Sequence, residues 1–131
     1  KMTIGTALSG REGKYMASGR DLTTGLPNSI ALSSDDVALA LRGPLRQIIE
    51  AVREAIEDTP PELITDIFRR GITLAGGGAL LLGLDKLLAE ETGLPVTITE
   101  DPLSAVVRGT GKALEDLDLL HQVQVLSQEI R

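Results

Sequence analysis

The spacing of apolar residues changes twice along the chain, and each change marks a new kind of element. Lys14-Tyr15-Met16-Ala17-Ser18 and Ser29-Ile30-Ala31-Leu32-Ser33 alternate apolar with small polar residues, which predicts two strands. Between them, Gly25 and Pro27 carry turn chemistry within Arg20-Asp21-Leu22-Thr23-Thr24-Gly25-Leu26-Pro27. Gly5, Gly10 and Gly13 make the opening segment loop-like.

At Ser33 the period lengthens. Ser33-Ser34-Asp35-Asp36 reads as a helix start, with a hydroxyl cap and acids facing the positive helix end. Gly43-Pro44 predicts a break or kink, and Pro44 can itself open a new helix. Beyond it Leu45, Ile48, Ile49, Val52 and Ile56 share one face, with Arg46, Glu50, Arg53, Glu54 and Glu57 on the other. Thr59-Pro60-Pro61-Glu62 reads as a capping box with proline at the first helical position. The helix it starts should end at Gly71, just after Arg69-Arg70.

Ile72-Thr73-Leu74-Ala75 is a short apolar strand followed by Gly76-Gly77-Gly78. Leu81, Leu84, Leu87 and Leu88 predict a helix ending at Gly93, and Pro95-Val96-Thr97-Ile98-Thr99 predicts another strand. Strand, helix, strand is a βαβ unit, so the strands should be parallel and the crossover right-handed. Asp101-Pro102 should cap a last helix reaching about Leu117, in which Gly109 and Gly111 suggest close backbone approach. His121 to Arg131 is mildly amphipathic and belongs to no clear element.

Composition narrows the function classes. The 131 residues hold 13 basic against 19 acidic side chains, a net charge of −6. That balance, with only Tyr15 and Phe68 as aromatics, argues against a nucleic-acid surface. The core must be aliphatic. The absence of cysteine removes disulfides, zinc–thiolate sites and thiol nucleophiles. No apolar run is long enough to span a bilayer, no signal peptide opens the chain, and Lys1 is not an initiator methionine, so a fragment is expected.

The triple glycine sits between a strand's carboxyl end and a helix's amino end, where ligands gather in α/β sheets. It reads either as a nucleotide-binding loop, with a bare backbone laid against a ring, ribose or phosphate, or as a tight turn with no ligand. No Gly-Lys-Ser/Thr follows, so it is not a Walker loop; the glycines at 76, 78 and 83 also miss the dinucleotide spacing. Glu100 and Asp101 close the next strand, where a Rossmann domain keeps its ribose-binding acid, and this keeps an oxidoreductase half as a rival. A non-catalytic interaction module is the third alternative. His121, Glu90-Glu91 and Glu115-Asp116 read as solvated positions, and no catalytic or metal-ligating constellation is evident.

Several stretches taken in order are distinctive: Gly19–Pro27, Thr59–Leu63, Gly71–Leu81, Glu90–Val96, Glu100–Leu103 and Gly109–Leu114. Together they closely resemble the C-terminal part of the MreB family, the bacterial actin-like rod-shape-determining proteins. The resemblance runs to about Asp118. It implies an α/β chain that is part of an actin/Hsp70-like ATPase fold, with a βαβ core, packed helices and a small β-rich subdomain. Residues 1–33 would be part of the small subdomain of the second lobe, 34–118 the large subdomain, and 119–131 a tail. Gly76, Gly77, Gly78 and Ala79 look like the family's adenosine motif. Lys1, opening Lys1-Met2-Thr3-Ile4-Gly5, looks like the lysine of its Glu-x-x-Lys segment. The family's phosphate hairpins and its Mg²⁺-handling acids lie upstream of the matched stretch, so ATP hydrolysis is not expected of this segment alone. The resemblance also implies head-to-tail self-association into cytoplasmic, membrane-associated filaments that work with the cell-wall elongation machinery at the inner membrane.

Overall fold

A computed structural model describes residues 3–115. The elements are β1 (Lys14–Arg20), β2 (Pro27–Ser33), α1 (Ser34–Glu57), α2 (Pro61–Arg70), β3 (Ile72–Leu74), a 3₁₀ turn (Gly77–Leu80), α3 (Leu84–Thr92), β4 (Val96–Ile98) and α4 (Ala105–Glu115).

β1 and β2 form the expected antiparallel hairpin, from Lys14 opposite Ser33 to Arg20 opposite Pro27. Its turn is built by Asp21, whose carboxylate accepts from the Thr23 and Thr24 N–H groups at 2.8 and 2.9 Å. Gly25 supplies the left-handed residue at φ 72°, and the Arg20 guanidinium donates to its carbonyl at 2.8 Å. Tyr15, Met16 and Ile30 are each half or more exposed, so turn chemistry and the ladder hold the ribbon.

Ser33 and Asp36 close a reciprocal capping box at the start of α1: Asp36 N–H donates to Ser33 Oγ at 3.1 Å, and Ser33 N–H to Asp36 Oδ2 at 2.9 Å. The expected break at Gly43-Pro44 does not occur; α1 runs through Pro44 without interruption. An interior proline costs about 3 kcal/mol. Leu41 before it and Leu45 and Ile49 after it pack into the same core. Burial of two such aliphatic side chains offsets that cost at about 1.5–3 kcal/mol each. Ile48 departs from the expected face and is 46% exposed.

The capping box read at Thr59 is also absent. Thr59 Oγ1 instead donates to the Ala55 carbonyl at 2.7 Å, closing the end of α1. α2 starts behind Pro60, which has no side-chain acceptor to offer. It ends as expected at Gly71, whose N–H donates to the Ile67 carbonyl at 2.7 Å.

β3 and β4 pair in parallel, Ile72 opposite Val96, with α3 as the crossover. The helix begins at Leu84 rather than at Leu81, because Gly77–Leu80 takes a 3₁₀ turn and Leu82 bridges in parallel to Thr6. Leu45, Ile49, Leu84 and Leu88 form the core between α1 and α3, flanked by Leu74 and Val96 from the sheet. Every buried hydrophobic residue is aliphatic, as the composition requires. Gly109 and Gly111 face open space, so the close approach expected there is not found.

Ser34 Oγ is fully buried and has no hydrogen-bond partner among the described residues. An unsatisfied buried hydroxyl costs about 1–3 kcal/mol. Ser34→Ala should therefore be neutral or stabilising by up to about 1 kcal/mol in chemical denaturation. A methyl on Gly13 would lie 2.5 Å from that oxygen. Gly13→Ala should thus destabilise the wild type and do much less harm in the Ser34→Ala background; additive effects in the double-mutant cycle would contradict the contact.

The Ser33 hydroxyl first, and then its N–H, hold the Asp36 carboxyl below its ordinary value of 3.8; Ser104 does the same for Asp101. A lowered native pKa gives stability that is complete above the unfolded value and lost as pH falls through the folded one. The expected Tm is flat above that carboxylate range and declines on acidification beneath it. The decline should be shallower in an Asp36→Ala, Asp101→Ala double variant.

Candidate functional site

The site begins where two strands end side by side. Leu74 closes β3, and the chain turns at Gly76 with φ 81° and ψ 175°. That region is held without strain only by glycine. The Gly76 N–H donates to the Pro102 carbonyl at 2.6 Å. This bond ties the loop after β3 to the loop after β4, so both carboxyl ends of the parallel pair serve one surface.

The other two glycines play a different part. Gly77 and Gly78 have ordinary φ values, so the glycine-only backbone angle lies at Gly76 and not at Gly77. A Cβ on Gly78 would meet nothing within 4 Å, and one on Gly77 would touch only Leu103 Cδ2, at 3.6 Å. The backbone is bare toward open space, which is the cradle a flat ligand group needs. Ala79 is buried beneath it, 3% exposed, and its N–H returns to the Gly76 carbonyl at 3.2 Å. α3 is set back from this surface, with its own left-handed cap at Gly83. The positive end of α3 therefore does not meet the glycines, and the first N–H groups of the 3₁₀ turn, which have no partner within a helix, stand there instead.

The facing loop is ordered by Asp101. Its carboxylate accepts from the Ser104 hydroxyl, and this bond is the leading cause of its lowered pKa. Asp101 is thus engaged in starting α4, and Glu100 beside it is exposed. Leu103 is 70% exposed and stands next to Gly77. The sequence marks Pro102 as part of a helix start and Leu103 as part of a distinctive stretch, but does not assign either to the site; the signal for that was a turn at the end of the second parallel strand. Lys1, His121 and the 119–131 tail lie outside the described residues. Among the described residues no group of three or more His, Cys, Asp or Glu is placed to hold a metal ion, and no helix is long and apolar enough to cross a membrane.

A parallel βαβ unit with a glycine loop docked on the neighbouring strand's exit, preceded by a small hairpin, is the α/β architecture of actin-like ATPases. The MreB/Mbl protein family model matches residues 1–122. The chain belongs to the MreB/Mbl family. It is 48% identical over 130 residues to the cell shape-determining protein MreB of Escherichia coli K12, covering 98% of this chain and 37% of that protein. It is 46% identical over 121 residues to the cell shape-determining protein Mbl of Bacillus cereus, covering 92% of this chain and 36% of that one. Crystal structures of MreB5 of Spiroplasma citri superpose closely. The ADP-bound form has a TM-score of 0.84 at 36% identity, covering 88% of this chain and 36% of that one. The AMPPNP-bound form has a TM-score of 0.83 at 34% identity, covering 92% and 37%. The chain therefore spans little more than a third of the length of these relatives. They lend no support to the oxidoreductase alternative.

Proposed function

We propose that this chain is the C-terminal portion of an ATP-binding, filament-forming protein that sets rod cell shape by directing wall synthesis. The observation that carries the reading is the bare Gly77-Gly78 backbone, held open by the Gly76–Pro102 bond. It fits the flat face of a nucleoside, and the related MreB5 has been crystallised with both ADP and AMPPNP. In this reading Gly76, Gly77, Gly78 and Ala79 form one wall of the nucleoside site. Leu103 packs beside the ligand and excludes water from that edge, and Lys1 lines the same pocket. The nucleotide supplies the phosphoanhydride; the residues here orient its nucleoside end. Side chains that hold Mg²⁺ and position water would come from elsewhere in the protein.

Residues 1–33 would belong to a small subdomain and 34–118 to a large one. Self-association would be head-to-tail, a heterologous contact that propagates instead of closing. The filament would lie on the inner membrane surface beside the wall-elongation machinery. The test is sedimentation of the full-length protein with and without ATP, alongside equilibrium binding of a fluorescent ATP analogue. ATP-dependent pelleting and saturable binding are expected. Full-length protein that neither binds the analogue nor pellets with ATP would sink the proposal.

A further inference from the structure

Arg42, Arg46 and Arg53 stand at i, i+4 and i+11 on α1, so one edge of that helix carries three guanidinium groups. Arg53 is committed. Its Nη2 lies 2.7 Å from Glu91 Oε2 and also donates to the Glu91 carbonyl at 2.7 Å, fastening α1 to the end of α3. Arg42 and Arg46 make no ion pair with any described residue. They are stacked one turn apart, where like charges cost about 0.2–0.5 kcal/mol. This happens in a chain with 19 acidic and 13 basic residues, where carboxylates are plentiful. Arg42 has no acidic residue one turn away on α1, and Glu50, one turn beyond Arg46, makes no ion pair with it.

The pair edges a groove of about 590 Å³ between α1 and α3, whose apolar lining includes Leu8, Leu45, Ile49 and Leu87. Glu50 is the one uncommitted carboxylate on that lining, against two uncommitted guanidinium groups. Two guanidinium forks one turn apart match carboxylates spaced in the same way on another helix, and each fork can grip a carboxylate in bidentate fashion.

We propose that this groove docks a segment of a partner protein carrying two acidic residues one helical turn apart beside leucine-like side chains. The apolar floor favours a peptide over inorganic phosphate, which has nothing to bury there. The concave shape favours it over a lipid headgroup layer, which is flat. The proposal stands independently of the nucleotide reading, since none of these residues touches the glycine loop.

The probe is a labelled synthetic peptide of about 12 residues, roughly three helical turns, with glutamates at i and i+4 and flanking leucines. A control peptide has both glutamates replaced by glutamine. Anisotropy is measured against the full-length protein and its Arg42→Gln, Arg46→Gln variant, with folding checked by circular dichroism. The acidic peptide should bind at least about tenfold more tightly than its control, and the double variant should lose about as much. Added salt should weaken the binding. An Arg69→Gln, Arg70→Gln variant removes the same charge elsewhere and should bind like wild type. Equal binding of the two peptides, or equal binding by wild type and the Arg42/Arg46 variant, overturns the proposal. So does failure of the acidic peptide to bind at low salt. Arginine-dependent binding of inorganic phosphate or phosphatidylglycerol vesicles without binding of the peptide would assign the groove to an anion or a membrane instead.

Discussion

Gly71→Ala should unfold this part of the protein more readily than other glycine-to-alanine changes. Gly71 joins α2 to β3 at φ 72° and ψ −157°, a backbone region that only glycine occupies freely. A methyl group there would lie 2.0 Å from the Pro95 carbonyl oxygen and 2.9 Å from Pro95 Cβ. Neither neighbour is a flexible side-chain tip. That same carbonyl accepts the Ile72 N–H at 2.8 Å, the bond that starts the β3–β4 pairing. Moving Pro95 to make room therefore pulls β4 from β3. The backbone angle costs about 1–3 kcal/mol by itself. With the clash added, a loss of at least about 3 kcal/mol and a fall in Tm of about 10 °C or more are expected. Gly93→Ala is the control, because Gly93 has a similar φ of 70° but open space around its Cα. It should cost only about 1–2 kcal/mol, the price of the left-handed angle. Equal losses at the two positions would show that the contact with Pro95 contributes nothing.

Gly71 also shows how the sequence can be read and where the reading stops. A glycine after Arg69-Arg70 marks a helix end from local chemistry alone, and the helix does end there. The hairpin turn, the α1 cap and each strand of the parallel pair were legible for the same reason, since each is encoded within a few residues. The misreadings share a different cause. Pro44 looks like a breaker until Leu41, Leu45 and Ile49 are seen packing on α3, a contact about forty residues away in the chain. Thr59 looks like a cap for α2 because its competing acceptor, the Ala55 carbonyl, belongs to the helix before it. In the candidate site the triple glycine stood out, but its three members looked alike. The hydrogen bond to Pro102 separates them, and nothing near residue 76 in the sequence announces residue 102.

That separation gives the second large effect, on nucleotide binding by the full-length protein. Gly77→Val should leave the fold intact and weaken ATP binding by at least about tenfold. Gly77 has an ordinary φ, and the nearest neighbour of its missing Cβ is Leu103 at 3.6 Å, an ordinary contact. The isopropyl group has room in the protein itself. What it fills is the space into which the bare backbone opens, and a rigid branched side chain there cannot swing aside. Tenfold corresponds to about 1.4 kcal/mol, less than a single well-placed steric conflict usually costs. Gly76→Val should behave differently. Its angle of 81° is barred to valine, so the turn and its bond to Pro102 should fail together, lowering Tm and binding at once. Circular dichroism and calorimetric titration on both variants separate the outcomes. If Gly77→Val binds ATP as well as wild type while keeping its fold, the nucleoside does not lie against this loop, and Gly76-Gly77-Gly78 is a turn that merely links β3 to α3.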